Sequence, residues 1–170
     1  METLKAIASR FSCRKFVKGT IKEEDKRAIL EAGMSAPSAM NRRPYDLIVI
    51  EDPEVLRPLE GTKPTLGLFY DNPLSVLIVV DEEKNPKMKF QEQDAAAVAE
   101  NMLLAATDLG YGSLWAGITE KSDFQVGLAK IFGIPEGHRP AILLSFGIKG
   151  EHKEERPSRY EEAKIHRGRW

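Results

Sequence analysis

The sequence predicts an α+β domain, and two observations support that class. Runs rich in Val, Ile and Leu alternate with helical patterns in the middle of the chain, whereas both ends lie outside this alternation. A length of 170 residues with 42% hydrophobic content suits one domain that buries its own core. We therefore expect a single domain, 1–170, with a mixed or antiparallel central sheet flanked by helices. A doubly wound parallel fold is the alternative.

The first third of the chain predicts two helices, a loop and a strand. Residues 3–9 form a short helix, and 20–23 have the pattern of a capping box that starts a second helix ending near 33–36. The segment 36–44 combines turn-forming residues with two prolines and two arginines, which predicts a loop. Aliphatic residues at 45–51 then predict a strand buried on both faces.

The remaining elements are predicted from hydrophobic periodicity and from the prolines and glycines that interrupt it. Prolines and glycines at 52–73 predict a short helix and an irregular loop, after which 74–81 is a second buried strand. Apolar residues recur every three or four positions over 91–109, which predicts a long helix. Residues 111–117 are predicted to form a strand or the edge of a turn, and 139–148 are predicted to form the last strand. The helix between these two strands is capped by Ser122 and stopped by the segment Gly133-Ile134-Pro135.

Composition excludes several classes of function. The formal net charge of -1 gives the chain no overall attraction for nucleic acid or anionic membranes. The pattern at the amino terminus is not that of a signal peptide and no apolar run reaches about 20 residues, so we expect neither a cleaved leader nor a membrane span. The single cysteine, Cys13, favours a reducing compartment, so we expect a cytoplasmic protein, and a packing role for this thiol is favoured over a nucleophilic one. The three histidines lack metal-ligand spacing, and no metal site is expected.

A basic segment near the amino terminus is the first candidate site. In an extended chain residues two apart share a face, so Arg10, Ser12 and Arg14 would present two guanidinium groups and a hydroxyl side by side. Such a row suits a phosphate, because arginine donates bidentate hydrogen bonds and keeps its charge. By spacing alone, an ordinary solvated surface is the more common meaning of such a run.

Two further segments carry possible recognition groups. Ser38 and Asn41 lie in the proline-bounded loop and could bind the edge of an aromatic heterocycle, although they could equally satisfy their own turn. The sequence Gly110-Tyr111-Gly112 follows a helix and lacks the third glycine of a dinucleotide fingerprint. A Rossmann assignment is therefore rejected.

Taken in order, these segments resemble the nitroreductase family along almost the whole chain. The segments that carry the resemblance are Arg10-Phe11-Ser12-Cys13-Arg14, Ala36-Pro37-Ser38-Ala39-Met40-Asn41-Arg42-Arg43-Pro44-Tyr45, Asp94-Ala95-Ala96-Ala97-Val98, Asn101-Met102-Leu103-Leu104-Ala105-Ala106, Leu109-Gly110-Tyr111-Gly112 and Gly133-Ile134-Pro135-Glu136. The resemblance implies a three-layer fold and an entwined homodimer with two FMN molecules at the subunit interface. It also implies that the tail, 150–170, contributes to the flavin phosphate site and to the dimer.

The resemblance also implies which residues bind the cofactor. The positions are Arg10, Phe11, Ser12, Arg14, Pro37, Ser38, Ala39, Asn41, Leu114, Trp115, Ala116, Gly117, Arg156 and Arg159. The residues at 10–14 match the family positions that hold the phosphate, the ribityl chain and the pyrimidine side of FMN. The residues at 37–41 match the loop that reaches the flavin from the partner subunit. Backbone groups of 114–117 approach N5, and Arg156 and Arg159 close on the phosphate.

The implied reaction is a ping-pong hydride transfer from NADH or NADPH through flavin N5 to an electron-poor acceptor such as a nitroaromatic, a quinone or a conjugated compound. The cofactor performs this chemistry, and no catalytic side chain is required. Two alternatives remain open: an FMN-binding or sensory module without turnover, and a specialised reaction such as reductive dehalogenation. The chain has Arg43 and Tyr45 where many relatives have Gln and Trp. Its pocket is either open or roofed by the loop 63–70.

Overall fold

Five strands form one sheet in the computed structural model, which describes residues 2–84, 86–87, 89–152 and 157–170. The strands are β1 (Phe16–Val17), β2 (Tyr45–Ile50), β3 (Leu74–Asp81), β4 (Gly112–Gly117) and β5 (His138–Lys149). The α-helices are α1 (Thr3–Ser9), α2 (Glu23–Met34), α3 (Gln91–Asp108) and α4 (Asp123–Ile131). Short 3-10 helices span Ala39–Asn41, Pro53–Leu59, Leu66–Phe69 and Glu162–Lys164.

Strand β5 organises the sheet. It pairs with β3 on one side and with β4 on the other, and its last residues pair with β1. Strand β2 pairs with the free side of β3 and forms an edge. All of these pairs are antiparallel, which confirms the α+β class and excludes the doubly wound parallel alternative.

Two hydrophobic cores lie on opposite faces of the sheet and create three layers. On one face α2 and α3 pack through Ile29, Val98 and Met102. On the other face the 3-10 helices after β2, together with α4, supply a second core of buried side chains. Every residue of β3 is buried, because this strand lies between the two layers.

Three local predictions were wrong or incomplete. Helix α2 begins at Glu23 after Lys22, without a side-chain cap, so residues 20–23 do not form the predicted capping box; three acidic residues in its first turn favour its amino terminus instead. Strand β2 is an edge strand with an exposed Val49, and it is not buried on both faces. Strand β1 has two residues, too few for a periodic signal, and was not predicted.

The segment between β2 and β3 contains more packed structure than its prolines and glycines predict. Its second 3-10 helix, Leu66–Phe69, buries Leu66 and Phe69 in the second core. Residues 66–69 are therefore part of the folded core rather than a separate flap. The described part of the tail, 157–170, differs completely: each of its residues is exposed.

Candidate cofactor-binding site

The basic segment near residue 10 runs beside β4. Ser12 forms a parallel bridge with Ser113, and the Cys13 backbone N–H donates to the Ser113 carbonyl at 2.9 Å. Because the chain is extended here, side chains alternate in direction: Cys13 is fully buried, whereas Arg14 is exposed. Ser12, which is half-buried, lies two residues before Arg14 and shares its side of the segment.

The cations of this segment have few partners among the described residues. Arg10 Nε lies 3.4 Å from the Glu100 carboxylate of α3, and the Arg10 side chain is half-buried. The Arg14 guanidinium donates to the Ser12 carbonyl at 3.5 Å, and in the described ranges no carboxylate lies within ion-pair distance of it. Glu151 accepts a hydrogen bond from the Arg14 backbone N–H at 2.7 Å. The Arg14 side chain is therefore available to an anion.

Cys13 has the packing role that the sequence favoured. Burial raises the pKa of its thiol, and the thiol donates to the Lys15 carbonyl at 3.1 Å. A Cβ at Gly112 would lie 2.9 Å from the Cys13 sulfur, so this glycine permits the close approach of β4. Phe11 is half-buried and lines a small cavity beside Gly112.

Strand β4 directs most of its side chains into the cores. Leu114 and Ala116 are buried in the second core, and Trp115 packs against the first. Gly117 is exposed at the end of the strand, and its carbonyl accepts a hydrogen bond from Lys63 Nζ at 2.7 Å. The contact of a cofactor with the backbone of 114–117 stays a prediction.

The loop that carries Pro37, Ser38, Ala39 and Asn41 is attached to α3. The Ala39 backbone N–H donates to Asp94 Oδ1 at 3.0 Å. Ser38 Oγ accepts from the Arg43 backbone N–H at 2.9 Å, and Asn41 Oδ1 accepts from Arg43 Nε at 3.4 Å. The self-satisfied turn that the sequence left open is therefore present, while the Ser38 hydroxyl proton and the Asn41 amide protons remain available as donors.

A cavity of about 290 Å³ opens between this loop and the start of α3. It is lined by Pro37, Ser38, Ala39, Phe90, Gln93, Asp94 and Ala97. The lining is largely apolar, which suits the face of an aromatic ring.

The predicted phosphate clamp is not assembled within the described residues of one chain. Arg159 lies in the exposed tail, and no hydrogen bond or ion pair between described residues links it to Arg10 or Arg14. Arg156 lies outside the described residues. The segment 10–14 and strand β4 are brought together, whereas the loop 37–41 is held separately by α3.

Two features of the site were not predicted as site residues. Asp94 belongs to a segment that carried the family resemblance without being assigned a role in the site, and Lys63 belongs to a loop whose structure was left open. Both act through backbone groups distant in sequence, at separations of 55 and 54 residues. No spacing rule predicts such contacts from the chain alone.

Searches for two other kinds of site gave no candidates in the described ranges. Among the described residues, no group of three or more His, Cys, Asp or Glu side chains could hold a metal ion. Nor does any described helix combine the length and the apolar character that crossing a bilayer requires.

Comparison with known proteins identifies the family. The model of the "Nitroreductase family" matches residues 7–63 and 62–148. A protein of Archaeoglobus fulgidus with the provisional name NADH dehydrogenase/NAD(P)H nitroreductase is 35% identical over 173 residues, which cover 99% of each chain.

Solved structures have the same fold. One from Clostridium acetobutylicum, provisionally an NADH oxidase, has a TM-score of 0.89 and 30% identity, covering 97% of this chain and 99% of its own. An FMN-dependent nitroreductase from Clostridium difficile has a TM-score of 0.87 and 24% identity, covering 98% and 99%. The second likeness concerns the fold alone.

Proposed function

Since this chain belongs to the nitroreductase family, we propose that it is an FMN-dependent oxidoreductase that takes hydride from NADH or NADPH. The acceptor is an electron-poor small molecule such as a nitroaromatic, a quinone or a conjugated compound, and the reaction follows a ping-pong order. The single observation that carries this proposal is the basic segment of Arg10, Ser12 and Arg14, whose Ser12 forms a bridge with Ser113 of β4, in a chain that matches the family over most of its length.

The donors present in this row fit a flavin phosphate. Arginine and hydroxyl donors match the oxygen acceptors of a phosphate, and the Arg14 side chain has no competing carboxylate among the described residues. Arg10 Nε lies 3.4 Å from a carboxylate oxygen of Glu100. This distance is longer than that of a strong hydrogen bond, so a phosphate can compete with Glu100 for the Arg10 guanidinium. In the proposed complex Arg159, and Arg156 beyond the described ranges, complete the phosphate site from the tail.

The proposed flavin site is completed by a second subunit. In this proposal Pro37, Ser38, Ala39 and Asn41 contact the flavin held by the other chain, and the tail 150–170 crosses the dimer. The exposed apolar residues Leu4 and Ile7 on α1 support an assembled state, since a monomer gains nothing by leaving such a surface in water. The 290 Å³ cavity beside the loop would then lie next to an interface.

FMN, when bound, supplies hydride transfer through its N5 position. The residues of this chain bind and orient it. In this proposal the backbone groups of 114–117 would hold the N5 edge. Arg14 would supply a positive charge on the pyrimidine side, which would favour the reduced cofactor. The largely apolar lining of the cavity would suit the face of an aromatic ring.

The test is spectroscopic. Purified protein reconstituted with FMN is mixed with NADH or NADPH without oxygen, and we expect the visible flavin absorption to bleach and to return when a quinone or nitroaromatic is added. Flavin that binds tightly but stays oxidised would indicate a binding or sensory module and would overturn the proposed activity. Protein that fails to bind FMN would overturn the cofactor assignment.

A further inference from the structure

Asp94 is a buried carboxylate in the first turn of α3. It is 6% exposed, and its Oδ1 accepts the Ala39 backbone N–H at 3.0 Å. Its other oxygen, Oδ2, is shielded from solvent and has no hydrogen-bond partner among the described residues. A buried carboxylate without a cationic partner costs the fold free energy, so its presence calls for a role beyond packing.

The loop that Asp94 holds is strained. Met40, Asn41 and Arg43 have φ angles of 54°, 54° and 48°, in the left-handed region that side chains with a Cβ disfavour. Such a backbone persists only where surrounding contacts enforce it. Two of the other side-chain contacts of the loop, Ser38 Oγ with the Arg43 N–H and Arg42 Nη1 with the Lys84 carbonyl, connect it to itself and to another exposed segment.

The Asp94 contact differs from those two because it ends on a long helix of the first core. Ala95, which follows Asp94 in sequence, and Val98, one helical turn further along α3, are fully buried. A charge-assisted hydrogen bond from this rigid helix therefore sets where the loop lies relative to the rest of the fold.

We propose that Asp94 is a positioning residue for the flavin: by holding the Ala39 N–H it fixes the loop that presents Ser38 and Asn41 to the cofactor bound by the partner subunit. This inference rests on the proposed function. Asp94 acts through the loop and does not itself touch the reacting atoms. It makes cofactor affinity depend on a helix that lies outside the phosphate site.

The first test compares Asp94→Ala and Asp94→Asn with the wild type. Asp94→Ala should weaken FMN binding roughly tenfold or more, the loss typical of one charge-assisted hydrogen bond. Asp94→Asn keeps the size and an acceptor oxygen, so it should recover part of the affinity. The dissociation constant comes from quenching of flavin fluorescence, and visible circular dichroism of the bound flavin reports the contact between loop and ring.

The matched control is Glu92→Gln, which removes a carboxylate from the same turn of α3. Glu92 is exposed and pairs with Arg139 of β5, not with the loop. It should leave the FMN dissociation constant and the flavin dichroism unchanged. A loss equal to that of Asp94→Ala would show a general charge effect and would overturn the positioning role.

A double-variant cycle tests the route through Ala39. Ala39→Pro removes the N–H that Asp94 accepts, at the first position of a 3-10 helix, and Ser38 before it already has the extended conformation (φ -138°, ψ 154°) that precedes proline well. The double variant should bind FMN no more weakly than the weaker single variant. Fully additive losses would mean that Asp94 does not act through this hydrogen bond.

The outcomes separate this inference from the proposed function. A wild type that binds no FMN overturns both. A wild type that binds and turns over, with Asp94→Ala and Asp94→Asn unchanged in affinity and dichroism, overturns the inference alone. If Asp94→Ala does not fold, Asp94→Asn decides: weaker binding with altered dichroism supports the inference, and unchanged values overturn it.

Discussion

At the scale of single residues, Arg10 and Arg159 carry the most direct prediction. Replacing either with alanine should weaken FMN binding by about 1.5–3 kcal/mol, because each would lose a charge-assisted phosphate contact. Titration of each variant with FMN measures this. Arg27→Ala is the control, since Arg27 is an exposed α2 residue paired with Glu31. Unchanged flavin occupancy in both variants would remove the two-ended phosphate clamp from the proposal.

Cys13 gives a second prediction at this scale. Because burial raises the pKa of its thiol, the folded protein should not react with a thiol reagent at pH 8, whereas the unfolded chain should react with one equivalent. Any labelling can be assigned to Cys13 because the chain has a single cysteine. Rapid labelling of the folded protein would show that β4 separates from the basic segment 10–14.

Asp81, at the end of β3, predicts a dependence of stability on pH. Burial alone would raise its pKa, but the backbone N–H groups of Lys84 and Glu83, together with His138, outweigh it and hold the pKa below its ordinary value. A depressed carboxyl pKa contributes stability above the unfolded value, and this contribution is lost as the pH falls through the folded one.

The variant Asp81→Asn should therefore unfold more easily than the wild type at pH 7, and the difference should shrink below about pH 4. Urea denaturation at the two pH values measures it. Asp46→Asn is the comparison variant, because Asp46 is exposed and its Oδ2 lies 3.9 Å from Nε2 of the same residue, His138. A difference that is constant with pH would mean that shape, and not charge, explains the effect.

At the scale of elements, a variant in the 3-10 helix Leu66–Phe69 tests whether this segment is part of the core or a lid. Phe69 is fully buried in the second core, so Phe69→Ala should lower the free energy of unfolding by about 3–5 kcal/mol. Val126→Ala, at an exposed position of α4, should change it little. Denaturant titrations compare the two. A Phe69→Ala protein as stable as the wild type would mean that the segment is dispensable to the core.

The elements also show how far the sequence alone could lead. The apolar period of α3 and the aliphatic run of β3 were correctly predicted, because burial on a fixed face leaves a repeating pattern. The capping motif at 20–23 failed because acidic residues at Glu23–Asp25 favour the start of α2 without a cap. The left-handed residues of the 40–43 loop left no signal, since none is glycine.

The candidate site was predictable only in part. The alternation that turns Arg14 outward and Cys13 inward follows from an extended backbone and could be argued from spacing. The contacts that place this segment beside Ser113, and Ala39 beside Asp94, join residues far apart in sequence. They depend on tertiary packing, which local patterns do not encode.

At the scale of the whole molecule, the described part of one chain exposes apolar side chains at several places. Leu4 and Ile7 on α1 are 80% and 51% exposed, and a groove of about 410 Å³ lies beside them between α1, α2 and α3. The tail exposes Tyr160, Ile165 and Trp170. The exposed apolar side chains on α1 and in the tail suit a subunit interface, and the proposed homodimer would cover both places.

The assembled state is the last prediction. The purified protein should sediment at twice the 19.0 kDa chain mass, and the double variant Leu4→Glu/Ile7→Glu should shift it toward the monomer, since two buried charges without partners oppose association. Val126→Glu, at an exposed position of α4, should leave the dimer intact. Because the proposed flavin site takes its 37–41 loop from the second subunit, the monomeric variant should lose FMN together with its partner. A monomer that retains bound FMN would place the whole cofactor site within one chain and contradict the shared site.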